Sequence, residues 1–317
     1  MRALAADRVG LGVEACTIRD VPAVNAAAGE VVVDVHAVAL NAADIKVATG
    51  AFGGRFIHGR AAPYVVGYDF SGAVAAGGGG FAAGDRVYGF LPYSSRTRNG
   101  SLAEQVAVSA STLGRTPATV SHVDAAAAAT VGVTALQVLR DIARIGAGAR
   151  VLVHGASGGA GSFLVAIGKL LGAEVTGTAS AAKMDFVRAQ GADAVIDYRA
   201  TRISDVPGGF DAVVDAAGAT SYLEARGLLG DNGTFVSLLP SFGFIVGKLA
   251  TLFSSRRCES LIVRPVPADL EQVAAWLADG RLTSPIAATY AFADAAAAIA
   301  HMATGRAAGK LVVRVRD

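Results

Sequence analysis

Two hydrophobic periods divide the chain. Through the first hundred or so residues the apolar positions come in short β-branched runs. Residues 30–37 (EVVVDVHA) alternate apolar and polar side chains between Gly29 and Asn41, the pattern of a half-buried strand. Residues 64–67, 72–76, 85–89 and 100–108 (GSLAEQVAV) predict further short strands, with glycine clusters such as 77–80 between them. Many short strands separated by turns predict a small, partly open barrel.

Around 116–121 the period lengthens. Residues 120–130 and 133–145 predict two helices. A strand at 151–154, a glycine turn and a helix at 162–171 follow. The alternation continues with strand 174–178, helix 183–190, strands 194–197 and 211–215, helix 221–229 and strand 234–239. Residues 261–264 read as the last strand of the series. Strands alternating with helices predict right-handed βαβ units around a parallel sheet. The tail predicts helices at 268–277 and 294–302, with Asp269 and Glu271 suiting the first turn of the former. A strand at 310–316 can return to the first region.

Composition narrows the picture. A length of 317 residues favours two domains. With 53% hydrophobic and 17% charged residues, the chain is not disordered. The 39 glycines show no Gly-X-Y period, which excludes collagen. A net charge of +2, evenly spread, offers no nucleic-acid surface. Only Cys16 and Cys258 occur, too few for a disulfide framework or a four-cysteine zinc site. The longest apolar stretch, 125–139, is built of small residues and falls short of a span of roughly 20. The N-terminus places Asp7 and Arg8 where a signal peptide needs its apolar core. A soluble, cytoplasmic protein without a membrane span is expected.

The strongest local signal is VLVHGASGGAG, 151–161. A buried strand enters a glycine turn and leaves as a helix, inside a βαβ unit of about 30 residues. Gly155 permits the tight turn, Gly158 lets backbone approach a pyrophosphate, and Gly161 lets the helix lie close to the sheet. The free N–H groups of the helix then face the phosphates. Ser157 is placed for a phosphate contact rather than as a nucleophile, because the turn lacks the G-x-S-x-G pattern. An NAD site puts an acid at the end of the second strand. Here that strand ends TGTAS, with Ser180 and Lys183 following and no acid before Asp185. A hydroxyl and an ammonium suit a 2′-phosphate, so NADPH is the expected cofactor. The bland alternative for Lys183 is an exposed helical lysine.

At this point the chain resembles the zinc-free quinone oxidoreductase branch of the medium-chain dehydrogenase/reductase superfamily. The resemblance rests on VALNAADIKVATG (38–50), VVGYDFSGAV (65–74), GDRVYG (84–89), GSLAEQV (100–106), AAAAATVGVTALQVL (125–139), the 151–180 segment, GADAVIDY (191–198) and GRAAGKLVV (305–313). It implies an α/β protein with a GroES-like, partly open β-barrel catalytic domain over 1–118, completed by 267–317. A Rossmann-type doubly wound parallel sheet would fill 119–266, with the active site in the cleft. It further implies a homodimer joined along the last Rossmann strand, near 261–266.

Departures from the zinc-dependent relatives set the expected chemistry. Where those enzymes carry a zinc-binding cysteine and a Gly-His-Glu histidine, this chain has Asn41 and Tyr68. The region of their structural zinc lobe, 92–101, has no cysteine. Without a Lewis acid, oxidising an alcohol is hard. Delivering hydride to a conjugated carbonyl is easier.

Asn41 would donate to developing negative charge, or merely cap a turn. Tyr68 would donate a hydrogen bond or proton, or serve as an aromatic wall. Asp44 is expected to organise the same loop through backbone bonds. The resemblance implies that Thr134, Tyr198 and Lys310 meet the cofactor. It adds Gly159 and Ala160 in the glycine turn, Ala217 and Gly218 after strand 211–215, and Ser237, Leu238 and Leu239 at the end of strand 234–239. The 241–257 segment, with Phe242 and Phe244 and a basic end, would cover a hydrophobic substrate or pack as a surface helix at the dimer contact. The expected function is NADPH-dependent reduction of a hydrophobic quinone or enone acceptor. The rivals are an NADPH-binding protein with little catalysis and a pathway-specific enoyl reductase.

Overall fold

A computed structural model gives the structure and describes residues 1–51, 54–60, 62–239 and 241–316, with Arg55 described by its backbone alone. The chain divides into two compact units, residues 1–133 with 263–317, and residues 134–262.

The first unit is built on a mostly antiparallel sheet, with one parallel pair at its edge. Its centre is Glu30–Ala39, whose valines at 31, 33 and 35 are buried while the residues between them are half-buried. The strand order is Ile286–Ala291, Lys310–Arg314, Glu30–Ala39, Asp69–Val74, Arg86–Phe90 and Leu113–Arg115, with Gln105–Ser109 also paired to Glu30–Ala39. A three-stranded sheet, Thr17–Asp20, Arg2–Ala6 and Tyr64–Val65, stands beside it. Strands Arg2–Ala6 and Thr17–Asp20 give little sequence signal because they are short and lack β-branched runs. Two registers bring distant residues together. Val312 pairs with Ala39, which brings Lys310 opposite Asn41, and Ala37 pairs with Ser71, which brings Asp69 to the same end of the sheet.

The second unit is a six-stranded parallel sheet. Its order is Ala194–Asp197, Glu174–Ala179, Arg150–His154, Phe210–Asp215, Leu229–Ser237 and Arg257–Ser260. In order of appearance this is 3-2-1-4-5-6, the doubly wound arrangement. The order reverses between Arg150–His154 and Phe210–Asp215, so a ligand is expected beyond their carboxyl ends.

Three expectations are corrected. The two helices of 120–145 are one, His122–Gln137, continued by a π-helical turn to Ile142. Gly132 does not break it, because its missing side chain lets Val273 pack closely: a Cβ there would lie 3.0 Å from Val273. The joined helix of 21 residues is long and apolar enough to cross a membrane, longer than the 15-residue stretch suggested, but 78% of its apolar window is buried inside the protein. The last parallel strand is Arg257–Ser260, and 261–266 carries no strand. The sheet pairs through Arg257–Ser260, with Cys258 buried, four residues before the expected 261–264 run. Helix 221–229 shrinks to Tyr222–Ala225, where Gly227 and Gly230 favour a turn.

Candidate active site

The glycine turn has the geometry of a phosphate cradle. Gly155 sits at φ +81°, and a Cβ on it would lie 2.8 Å from the Ala217 Cβ. Only glycine combines that backbone with that neighbour. A Cβ on Gly161 would fall 2.1 Å from the Gly155 carbonyl oxygen, so helix Gly159–Leu170 can rest on the turn only without one. Gly158 is different. Its backbone is ordinary, and a Cβ would meet only the Gly155 oxygen, at 3.5 Å. The fold does not require glycine there. The helix N-terminus behind it carries no side-chain cap, leaving N–H groups open to an anion.

Buried polar side chains hold this turn. The Thr178 hydroxyl accepts the Gly155 N–H at 3.1 Å and meets His154 Nδ1 at 2.9 Å. Burial lowers the pKa of His154, which keeps the ring neutral. Asp215, fully buried at the end of the neighbouring strand, accepts backbone N–H groups from Ala217, Gly218, Ala219 and Thr220 at 3.0–3.3 Å. The Leu238 N–H donates to the Asp215 carbonyl, and a Cβ on Gly218 would lie 3.1 Å from Leu239. The expected residues of the 155–161, 217–218 and 237–239 segments therefore gather at the switch point. Thr178 and Asp215 were missed because nothing in a strand-terminal Thr or Asp marks it as a brace.

Farther along the sheet edge, the Tyr198 N–H donates to the Ala179 carbonyl, which sets Tyr198 beside Ser180. The Tyr198 ring is half exposed, and the Arg199 guanidinium lies 5.9 Å from its centroid. Lys183 closes the short turn Ala181–Lys183 and is half-buried, not the exposed helical lysine of the bland reading. Arg199 is a third polar group on this side that sequence reasoning passes over. Thr134 is buried in helix His122–Gln137. Phe244 packs against the core of Tyr222, Phe235 and Cys258, whereas Phe242 is 78% exposed.

In the first unit the predicted Asn41 and Lys310 meet. Lys310 is 2% exposed, and its ammonium donates to the Leu40 carbonyl at 2.9 Å, Asn41 Oδ1 at 2.6 Å and Asp69 Oδ2 at 3.3 Å. Its three protons are thereby taken. Lys310 thus holds the Asn41 side chain in place. The Asn41 amide is oriented by two charges: Oδ1 faces the ammonium, and Nδ2 donates to Asp69 Oδ2 at 2.9 Å. Its second Nδ2 hydrogen has no partner among the described residues. Asp69 also accepts from Thr130 Oγ1, and its carbonyl accepts from Ser101 Oγ at 2.8 Å. Burial raises the Asp69 pKa, and Lys310 draws it back down.

Asp44 does organise the loop: its Oδ2 accepts the Asn41 backbone N–H at 2.7 Å, fixing the first turn of helix Ala42–Ala48. Complete burial pushes its carboxyl up to about 7, against the pull of that same N–H. Tyr68 departs from the reading as a proton donor. Its hydroxyl donates to the Ile57 carbonyl at 2.7 Å and meets His58 Nδ1 at 3.1 Å, and the ring is 1% exposed and stacked on Tyr93. Tyr68 is a wall residue with its proton engaged. No group of three or more His, Cys, Asp or Glu side chains among the described residues could hold a metal ion. The Asn41 amide, the Tyr68 phenol and the Asp69 carboxylate tied to Lys310 do not make the three-ligand set that a catalytic zinc takes.

Comparison with known proteins decides the family. The profile described as "Alcohol dehydrogenase GroES-like domain" matches residues 27–121, and "Zinc-binding dehydrogenase" matches 190–313. A trans-enoyl reductase, pgmF, of Aspergillus terreus is 31% identical, over 91% of this chain and 87% of its own. The chloroplast envelope quinone oxidoreductase homolog of Arabidopsis thaliana is 30% identical, over 99% and 98%. The chain belongs to the medium-chain dehydrogenase/reductase superfamily, in its quinone oxidoreductase-like branch. Among solved structures, the quinone oxidoreductase from Coxiella burnetii superposes with a TM-score of 0.88 at 27% identity, covering 100% of this chain and 99% of that one. The protein is thus an oxidoreductase of the nicotinamide-dependent type, with a GroES-like domain and a Rossmann-type domain.

Proposed function

We propose that the protein reduces quinones or α,β-unsaturated carbonyls with NADPH and without zinc. The observation that carries this reading is the Lys310–Asn41–Asp69 arrangement, which holds one amide with its orientation fixed and one N–H to spare. Such a donor, set before the reaction begins, suits an oxygen that gains negative charge.

Bound NADPH would supply a hydride; the remaining tasks fall to the chain. Gly155, Ser157, Gly158, Gly159, Ala160 and Gly161 would hold the pyrophosphate, with Ser180, Lys183 and Tyr198 at the adenosine end. Ala217, Gly218 and Ser237–Leu239 would flank the nicotinamide half, joined by Thr134. Asn41 would stabilise the enolate or hydroquinone oxygen. With the Tyr68 hydroxyl engaged by Ile57, water supplies the proton. The names of the two relatives, a trans-enoyl reductase and a quinone oxidoreductase homolog, support both acceptor classes. A two-fold dimer would join along Arg257–Ser260, the outermost strand of the parallel sheet.

NADPH oxidation followed with a panel of quinones and enones tests the reading. Turnover with at least one class is expected. Tight NADPH binding without turnover on any acceptor would favour a binding protein instead.

A further inference from the structure

Between residues 45 and 103 the chain carries six cations, Lys46, Arg55, Arg60, Arg86, Arg96 and Arg98, and two acids, Asp69 and Asp85. Both acids are paired elsewhere: Asp69 meets Lys310, and Asp85 meets Arg115 at 2.7 Å. Arg86 directs its guanidinium to the Pro117, Ala118 and Val120 carbonyls. The side chains of Lys46, Arg60, Arg96 and Arg98 have no hydrogen-bonding or ionic partner among the described residues.

Backbone contacts gather these four. Lys46 lies in the last turn of helix Ala42–Ala48, whose N-cap is Asn41. The chain folds back onto it: the Ala51 N–H donates to the Lys46 carbonyl at 3.0 Å, and a Cβ on Gly54 would collide with that carbonyl. Residues 57–60 then run beside 94–98. The Ser94 N–H donates to the Ile57 carbonyl at 3.1 Å, and the Gly59 N–H to the Thr97 carbonyl at 2.6 Å. A Cβ on Gly59 would lie 3.2 Å from Arg98 Cγ, so the Arg98 stem passes over Gly59, next to Arg60. The same two segments carry the aromatic wall of the site. Ile57 accepts the Tyr68 hydroxyl, and Tyr93 stacks on Tyr68. Tyr93 reaches Asp69 through Thr130 Oγ1, and Asp69 in turn holds the Asn41 amide.

Arg60, Arg96 and Arg98 are exposed, and Lys46 is half-buried. Burial lowers the Lys46 pKa, and no acid opposes it. An ammonium partly withdrawn from water without a counter-ion is costly, so an arriving anion relieves it. Guanidinium forks match the paired oxygens of a phosphate. The glycine turn that suits a dinucleotide lies in the second unit, whereas these cations belong to the unit of Asn41.

We propose that the acceptor is a conjugated carbonyl carrying phosphate at its remote end, and that Lys46, Arg60, Arg96 and Arg98 bind this phosphate. The proposal rests on the reading of Asn41 as the donor to the acceptor oxygen, and adds a charge requirement to it.

The test uses three crotonyl thioesters that share the reducible bond and differ in the tail. Coenzyme A brings phosphates, glutathione brings carboxylates, and N-acetylcysteamine brings no charge. NADPH oxidation is followed with each at low and high salt. The coenzyme A thioester should show a kcat/KM at least tenfold above the other two, and the preference should shrink with salt. In the variant R96A/R98A, kcat/KM should fall at least tenfold more for the coenzyme A thioester than for the N-acetylcysteamine thioester, chiefly through KM. The thermal transition and NADPH affinity of the parent should be retained. Equal kcat/KM for those two thioesters in the parent would overturn the proposal, as would equal losses for both in the variant. A preference for the glutathione thioester would overturn it in favour of a carboxylate tail. A loss of NADPH affinity matching the loss on the thioester would assign the cations to the dinucleotide. Turnover of 1,4-naphthoquinone with none of the thioesters would overturn this inference and leave the reduction reading standing. Turnover of no acceptor at all would remove both.

Discussion

Lys310 Nζ lies 2.6 Å from Asn41 Oδ1, although 269 residues separate them. The contact arises from the antiparallel register of the last strand on Glu30–Ala39. It adds a buried charge to what directs the Asn41 amide, beside the Asn41 backbone N–H that Asp44 Oδ2 accepts. Replacing Asn41 by alanine should therefore lower kcat/KM by about 10²- to 10³-fold, the scale for losing one preorganised donor to an oxyanion. NADPH affinity should stay within a few-fold. Steady-state kinetics and a binding titration on the same variant check the two halves.

The partner of that ammonium is a fully buried carboxylate. Lys310→Met would leave Asp69 charged and unpaired in the core, a loss of about 3–5 kcal/mol for a pair broken on one side. Asp69→Asn in the same chain removes the orphaned charge. The double variant should recover much of the loss, a coupling that urea unfolding of the two single variants and the double variant measures directly.

These residues show where sequence legibility ends. The parallel sheet and the glycine turn were readable, since valine runs and glycine spacing are local signals. The meeting of Lys310 with Asn41 was not. It depends on a strand register set across the whole chain. Thr178 and Asp215 were silent for a related reason: each braces backbone donated by segments 23 or more residues away, or by a turn whose path only the fold defines. The last parallel strand was misplaced by a few residues because Leu261, Ile262 and Val263 look more strand-like than Arg257–Ser260. Tertiary pairing overrode local propensity there.

Cofactor choice is the next test. Ser180 and Lys183 follow the strand that ends without an acid. The double variant S180A/K183A should weaken NADPH at least tenfold and NADH only a few-fold. Arg199→Ala, made alongside it, separates a contribution from the guanidinium near Tyr198. Calorimetric titration with both dinucleotides reads the result. Equal losses for the two would move the 2′-phosphate elsewhere.

Stability should carry the mark of Asp44. Its carboxyl is raised from 3.8 to about 7 in the fold by burial. Between those values the folded chain holds a proton that the unfolded chain has released. The Asp44 contribution is therefore complete below about pH 4 and declines as pH rises toward 7, at up to about 1.4 kcal/mol per unit. His58 and His122, both lowered to about 4 by burial, oppose this at acid pH, since they favour the fold as pH rises. The difference between parent and Asp44→Asn isolates the carboxyl. Denaturant midpoints from pH 4 to 8 should show the parent losing ground relative to the variant up to about 7, and no further divergence above it.

The glycine turn separates a fold requirement from a ligand requirement within four residues. Gly161→Ala forces a Cβ to 2.1 Å from the Gly155 oxygen, so the helix must move off the turn. That variant should lose stability, by about 1–3 kcal/mol on the scale for overpacking a closed site. Gly158→Ala meets nothing closer than 3.5 Å and keeps an allowed backbone, so its unfolding midpoint should equal or slightly exceed the parent's. Its dinucleotide affinity should nonetheless fall at least tenfold, because the added methyl occupies the approach that a pyrophosphate needs. Thermal unfolding in the absence of cofactor and fluorescence titration with NADPH distinguish the two glycines. A Gly158→Ala protein that binds as tightly as the parent would place the phosphates away from this turn.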